Sequence, residues 1–205
     1  MTTLQNPRPV RASWRVVDIV VAAVIAVASG VVFFGWNTLH HVLDFLFVAF
    51  PPSSALLAGF WLFPAVLGAL VIRKPGAALF CETVAAVVSS FLGSEYGWTV
   101  LVSGLVQGLG AELVFAAFLY RNWGLPTALL AGAAAGLFGG VNDAFIFEWF
   151  PEYTDAMKLV YVVCMTVSGV VVAGLLSWLA TRALARTGAL SALASRKAGQ
   201  EPVRG

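Results

Sequence analysis

Charge is scarce in this chain: only 11% of its 205 residues are Asp, Glu, Lys or Arg, whereas 60% are hydrophobic. A soluble domain carries about a quarter to a third charged residues on its surface, so this composition excludes an ordinary soluble protein. The mean hydropathy of +0.90 and the long apolar runs instead predict an all-α, polytopic membrane protein with a single helical domain.

Cysteine and histidine are also rare, with two of each. Cys81 and Cys164 lie in apolar runs without a metal or redox spacing, and His40 and His41 fall outside the expected membrane spans. The sequence contains no glycine-rich loop followed by lysine and serine or threonine. We therefore expect no metal, no cofactor, no ATP site and no nucleic-acid partner. An intramembrane serine–histidine pair is excluded as well.

Six apolar segments are candidates for membrane-spanning helices, which need about 20 residues each: 16–36, 53–72, 76–92, 98–121, 126–147 and 156–185. Turn-forming sequences separate them, such as RKPG at 73–76. The third segment is short, and the aromatic segment 37–52 is expected to lie at the membrane interface. The domain 16–185 is expected to have a cytoplasmic N-terminal segment, 1–15, before it and a flexible cytoplasmic tail, 186–205, after it.

The basic residues fix the expected orientation of this six-helix bundle. Eleven of the twelve fall on one side of the layout, and only Lys158 falls on the other. Because cytoplasmic loops of membrane proteins are enriched in lysine and arginine, both termini are expected in the cytoplasm. The eleven are Arg8, Arg11, Arg15, Arg73, Lys74, Arg121, Arg182, Arg186, Arg196, Lys197 and Arg204.

Acids and amides within apolar helices are functional hypotheses by default, because lipid cannot solvate them. Glu82 and Glu112 have two interpretations, a structural pair that shares a proton or a site that receives a ligand cation. Asn142 and Asp143 are better ligand candidates, although Asp143 could instead pair with Lys158. An aromatic wall beside a carboxylate suits a flat, nitrogen-rich or cationic molecule, whereas single tryptophans are also common as interface anchors. The candidate binding residues are Trp36, Asn37, Trp61, Glu82, Glu95, Tyr96, Trp98, Gln107, Glu112, Asn142 and Asp143.

Small residues form smooth strips on three of the expected helices. Gly104 and Gly108 precede Glu112 on one strip of the fourth segment, and the fifth segment has glycines at 132, 136 and 139. In the first segment, Ala22, Ala26 and Gly30 repeat every four residues. Such strips let helix backbones approach closely. The first one therefore indicates either packing within the chain or a docking face for a partner helix.

These features resemble the substrate-binding S component of energy-coupling factor (ECF) transporters. Three long segments are similar to the YkoE family: WRVVDIVVAAVIAVASGVVFFGWN, LGALVIRKPGAALFCETVAAVVSSFLGSEYG and GLVQGLGAELVFAAFLYRNWG. The resemblance runs from about residue 14 to about residue 185. It implies a protein of the bacterial plasma membrane that captures thiamin or its hydroxymethylpyrimidine precursor from outside.

The resemblance also implies partners. Uptake would be driven by ATP through a transmembrane coupling (T) subunit and separate ATPase subunits, and the first-helix strip with Ala22 and Ala26 would contact the coupling subunit. The outer loops, including 37–52 and 95–98, would cap the ligand. Three alternatives stay open at this point: an S component for another vitamin, an ion-coupled carrier, or an intramembrane enzyme that uses the buried carboxylates.

Overall fold

A computed structural model describes residues 13–94 and 96–201, and every regular element within them is helical. The expectation of an all-helical fold is therefore confirmed for this part of the chain. Two π-helical stretches, Asn142–Ile146 and Gly169–Leu176, extend α5 and join α6 to α7. The α-helices are α1 Val16–Leu43, α2 Gly59–Ile72, α3 Ala77–Phe91, α4 Thr99–Ala117, α5 Leu125–Val141, α6 Asp155–Ser168 and α7 Ser177–Arg186.

Five helical segments of the described chain have the length and hydropathy to cross a membrane. They are Val16–Phe47, Pro51–Ile72, Thr99–Ala117, Leu125–Ile146 and Asp155–Arg186. The remaining apolar helix, α3, has 15 residues, which at 1.5 Å per residue gives about 22 Å. It is thus shorter than a hydrocarbon core of about 30 Å. The structure accordingly shows five helices of spanning length and one shorter helix packed among them.

The first helix is longer than the sequence predicted. We expected it to end at Trp36, but α1 continues for two further turns to Leu43. The residues from 37 to 43 include neither proline nor glycine, so nothing in them interrupts the helix. The chain then forms two 3₁₀ helices, Asp44–Phe47 and Pro51–Leu57.

Glycines bring α5 into backbone contact with the helix formed by α6 and its π-helical extension. A Cβ atom on Gly136 would lie 2.5 Å from the carbonyl oxygen of Met165, and one on Gly132 would collide with the carbonyl of Gly169. The smooth face predicted on α5 is thus a packing surface. Close backbone approach of this kind is a main source of helix association in membranes.

The small-residue strip of α1 also packs within the chain, against α3. Ala22 and Ala26 have no exposed surface, and a Cβ on Gly30 would lie 2.6 Å from the Cβ of Val88. The strip is therefore covered by the chain's own helix, and the partner-docking role expected for Ala22, Ala26 and Gly30 stays a prediction. The outward side of α1 carries larger apolar side chains, including Val20, Val24 and Val31.

The segment after α7 folds back onto the bundle, where a flexible tail was expected. Leu190 and Leu193 are buried in a cluster with residues of α1, α2 and α3. The Ser195 hydroxyl donates to the carbonyl oxygen of Val71 at 2.6 Å. Arg73 forms a two-pronged ion pair with Glu201, at 2.6 and 2.8 Å. We call this end of the bundle, where α1 and α3 begin and α2 and α7 end, the closed end.

Candidate ligand-binding site

A cavity of about 480 Å³ lies at the opposite end of the bundle, which we call the cavity end. Its walls come from the last turns of α1, the segment 44–58, α2, α3, α4 and the connection between α5 and α6. Small-molecule sites in proteins typically enclose roughly 300–1,000 Å³. The cavity therefore has the size of a site for a vitamin-sized molecule.

A hydrogen-bonded cluster holds Asp143 in the cavity wall. The Asn142 amide donates to Asp143 Oδ1 at 3.0 Å and to Ser103 Oγ at 3.1 Å. Ser103 and Tyr161 line the cavity beside Asp143 as well. Asn142 and Asp143 stand at the start of the π-helical stretch that follows α5, and such wide turns often mark functional sites because they redirect side chains.

Gln107 lines the same cavity from α4, and its position depends on a glycine of α5. A Cβ on Gly139 would come within 2.9 Å of Gln107 Cγ and 3.2 Å of its amide nitrogen. The missing side chain thus leaves the space in which the Gln107 amide sits. The glycine strip of α5 shapes the ligand site as well as the helix interface.

Aromatic rings form one wall of the cavity, which we call the aromatic wall; its members include Trp61, Tyr96 and Trp149. Trp61 donates from Nε1 to Asn37 Oδ1 at 2.9 Å, and its ring lies 5.0 Å from that of His40. Tyr96 and Trp149 stack with centroids 5.2 Å apart. Stacked rings with polar edges offer flat apolar surface to a planar or cationic guest.

The cavity has an acidic lining. Among the described residues around it are four carboxylates, those of Asp44, Glu82, Asp143 and Glu152, and no lysine or arginine. Tyr153 stands beside two of them at the mouth, and burial, with Glu152 and Asp44 nearby, raises the pKa of its phenol. An acidic, aromatic cavity favours a cationic or N–H-rich ligand.

Glu82 reaches the cavity from the middle of α3 and is fully buried. Its Oε2 accepts a hydrogen bond from the backbone N–H of Ala65 at 2.9 Å. This donor follows Pro64, which lies inside α2 and interrupts its hydrogen-bond ladder. Oε1 is buried and has no hydrogen-bond partner among the described residues.

Glu112 lies elsewhere, at the closed end. Its carboxylate accepts hydrogen bonds from the backbone N–H groups of Gly76, Ala78 and Leu79, at 2.6, 2.9 and 3.3 Å. The Tyr120 hydroxyl donates to it at 2.8 Å, and burial together with this bond raises the pKa of Tyr120 to about 12. Glu112 therefore caps the positive end of α3 and does not line the cavity, so the predicted ligand role does not fit its position.

Three other candidates also lie apart from the cavity lining. Trp36 packs on Phe60 with ring centroids 4.1 Å apart, and Trp98 is 69% exposed, as expected for residues that face lipid or its interface. Asn142 stands behind Asp143 and supports it. Glu95 lies outside the described residues. The candidates that the structure gathers around the cavity are Asn37, Trp61, Glu82, Tyr96, Gln107 and Asp143.

The sequence-based selection missed several lining residues. The connection between α5 and α6 contributes Trp149, Phe150, Glu152 and Tyr153 to the cavity, and α6 contributes Tyr161. The run EWFPEY at 148–153 follows Asp143 closely, and its density of aromatic and acidic residues was a usable signal. Tyr161 could not be placed without knowing which face of α6 meets α5.

Comparison with known proteins gives consistent matches over most of the chain. A family model described as "ABC-type cobalt transport system, permease component" matches residues 17–138. The "Putative HMP/thiamine permease protein YkoE" of Bacillus subtilis (strain 168) is 37% identical over 187 residues, covering 90% of this chain and 92% of that protein. A structure described as "Crystal structure of an S-component of ECF transporter" matches with a TM-score of 0.84 at 36% identity, covering 92% of this chain and 94% of that chain.

These matches define the class: this is an S component of an ECF transporter, a multi-pass protein of the bacterial cell membrane and not an enzyme. Within that class, the chain belongs to the YkoE family, as its sequence segments indicated.

Proposed function

We propose that this S component captures thiamin or its hydroxymethylpyrimidine precursor in the cavity, for uptake driven by separate coupling and ATPase subunits. The observation that carries the proposal is a cavity of about 480 Å³ that combines stacked rings, an amide and several carboxylates. An aminopyrimidine offers N–H donors beside ring nitrogens, which carboxylate and amide groups can engage. Thiamin adds a permanently cationic ring, for which aromatic faces and acids are suitable partners.

The description of the matching family model names cobalt as the transported substrate. The residues that line the cavity nevertheless favour an organic ligand over a bare metal ion. Among the described residues, no three His, Cys, Asp or Glu side chains are grouped closely enough to hold a metal. The stacked pairs Tyr96–Trp149 and Phe150–Tyr153 would have no role in binding an ion. The name of the Bacillus subtilis relative points to the same pyrimidine compounds.

The proposal includes an orientation in the membrane. Six passes, with α3 as the short one, would place both termini in the cytoplasm by the distribution of lysine and arginine. The cavity would then open to the outside, and the closed end would face the cytoplasm. Labelling of single cysteines at positions 121 and 152 in intact cells would test this arrangement, because only position 152 should react with an impermeant reagent.

The test of the substrate is an equilibrium titration of the purified wild-type chain, without ATP or partner subunits. Thiamin or hydroxymethylpyrimidine should bind with one site per chain, whereas cobalt chloride should not. Failure of every pyrimidine compound to bind would reject the substrate, and saturable cobalt binding would favour the metal. A coupled uptake assay should require the ATPase subunits, since an ion gradient alone would instead indicate an ion-coupled carrier.

A further inference from the structure

Glu82 stands out because one of its carboxylate oxygens is hydrogen-bonded, whereas the other has no hydrogen-bond partner among residues 13–94 and 96–201. Oε2 is fixed by the Ala65 N–H at 2.9 Å, which holds the carboxylate in one orientation. Oε1 is buried without a hydrogen-bond partner in the described chain, and the residue lines the cavity. A buried polar atom left unpaired is costly, so this oxygen needs a partner that the described part of the chain does not supply.

The packing around Glu82 brings the α4 backbone close to α3. Two glycines of α4 face it: a Cβ on Gly108 would lie 3.0 Å from Glu82 Cβ, and one on Gly104 would lie 2.6 Å from Ala86 Cβ. The α4 backbone can therefore lie close to α3 without side chains that would fill the floor of the cavity. Asn37, in the last two turns of α1, and Tyr96, in the turn between α3 and α4, line the same cavity.

We propose that Glu82 is the deep anchor of the site and recognises an N–H donor of the ligand through Oε1. This inference rests on the proposed function and deepens it. For an aminopyrimidine, the donor is the exocyclic amine, so the pyrimidine ring enters first. The rest of the ligand then lies against the aromatic wall of Trp61, Tyr96 and Trp149. Glu82 in this role sets specificity for amine-bearing rings.

The experiment is a cycle of four binding constants, for two ligands measured on two proteins. Binding of hydroxymethylpyrimidine and of its deamino analogue, in which hydrogen replaces the exocyclic amine, is measured on wild type and on Glu82→Gln. Wild type should bind the deamino analogue about tenfold more weakly or worse, as expected for one lost hydrogen bond to a carboxylate. In Glu82→Gln the single amide oxygen should stay with the Ala65 N–H, so that the NH₂ group, a donor, replaces Oε1. The amine-bearing compound should then lose a similar factor, and the preference between the two compounds should fall to about one.

Thr83→Val is the matched control. Thr83 is the next residue in α3, its hydroxyl is likewise buried without a partner among the described residues, and it does not line the cavity. The control should keep the wild-type preference for the amine. A preference that persists in Glu82→Gln would overturn the anchor role.

The wild-type comparison needs no variant, so the inference remains testable if Glu82→Gln does not fold. Equal affinities of wild type for hydroxymethylpyrimidine and its deamino analogue would overturn the anchor while leaving the proposed function intact. Absence of wild-type binding to thiamin and hydroxymethylpyrimidine would instead reject the proposed function itself. The two failures are therefore distinguishable.

Discussion

The two ends of this bundle use the same residue type in opposite ways. At the closed end, each carboxylate is paired by the chain itself: Asp18 with Arg15 at 2.8 Å, Glu112 with three backbone N–H groups, and Glu201 with Arg73. At the cavity end, Glu82 keeps one oxygen without a partner in the described chain. Asp143 is held by neighbours but still borders an open volume.

The difference shows that depth in the membrane does not assign a role to an acid. Glu82 and Glu112 are both polar residues within otherwise apolar helices, and both are at least nine-tenths buried. What separates them is the number of donors that the fold brings to each carboxylate. An acid whose partners are complete stabilises the fold, whereas an acid with an unfilled position next to a cavity is placed to bind a ligand.

Glu112→Ala tests the comparison between the two ends of the bundle most strongly, because we expect it to cause the largest loss of stability. The substitution leaves the N–H groups at the start of α3 and the Tyr120 hydroxyl without their acceptor, and each unsatisfied buried group costs about 1–3 kcal/mol. We expect the free energy of unfolding in detergent to fall by about 3 kcal/mol. Ligand affinity of the remaining folded protein should be unchanged.

Glu112→Gln serves as the intermediate case, because one amide oxygen can still accept from the helix N-terminus. It should be less destabilising than the alanine variant. A large loss of affinity with unchanged stability in either variant would contradict the structural role of Glu112.

Gly139→Ala should have a smaller effect, and this effect should fall on ligand affinity and not on stability. The added Cβ would come within 2.7 Å of Met165 Cε and 2.9 Å of Gln107 Cγ, and it should displace both side chains, including the Gln107 amide, in the cavity wall. We expect ligand affinity to fall about tenfold, equivalent to about 1.4 kcal/mol. Stability should change little, because alanine favours the helix more than glycine does by about 1 kcal/mol.

Gly140→Ala is the control for Gly139→Ala. Its Cβ would meet Val162 at 3.0 Å, away from Gln107, and so adds a similar steric load to the same helix. Isothermal titration and thermal unfolding of both variants separate the two effects. Equal affinity losses in both would mean that helix packing, and not the position of Gln107, controls binding.

The smallest effect is expected at the closed end from Glu201→Gln. The hydrogen bonds from Arg73 hold the pKa of Glu201 below its ordinary value of 4.5. The ion pair therefore adds stability above that value and loses it as the pH falls through the lowered pKa. Because Glu201 is partly exposed, we expect a difference between wild type and variant of at most about 1 kcal/mol at pH 7.

The pH dependence provides the check on this ion pair. The difference in unfolding temperature between wild type and Glu201→Gln should shrink between pH 5 and pH 3. A difference that stays constant over this range would mean that the Glu201 charge does not contribute.

Much of the fold could be predicted from hydropathy and turn residues alone. The breaks near Arg73–Gly76 and Gly124 were clear, because glycine and proline end helices for local reasons. The end of α1 was not, since residues 37–43 are polar enough for a loop yet contain no helix breaker. The packing of the tail on the bundle was not predicted, because small residues alternate there with leucines that become buried only against the bundle.

The candidate site could be predicted only in part, because its residues share a cavity and not a sequence pattern. Gln107 and Asp143 were accessible to sequence reasoning, as polar groups in apolar helices. The separation of Glu82 from Glu112 was not, because it depends on which backbone N–H groups face each carboxylate. Likewise, the sequence alone did not show that the alanine strip of α1 packs on α3.

The central claim is that the ligand occupies the cavity between the aromatic wall and Glu82, and a structure of the thiamin complex tests it most directly. The account predicts density for the vitamin within that cavity, with its aminopyrimidine beside Glu82 and its cationic ring beside Trp61 or Trp149. Thiamin density outside the cavity, or a cavity left without ligand at saturating thiamin, would contradict it.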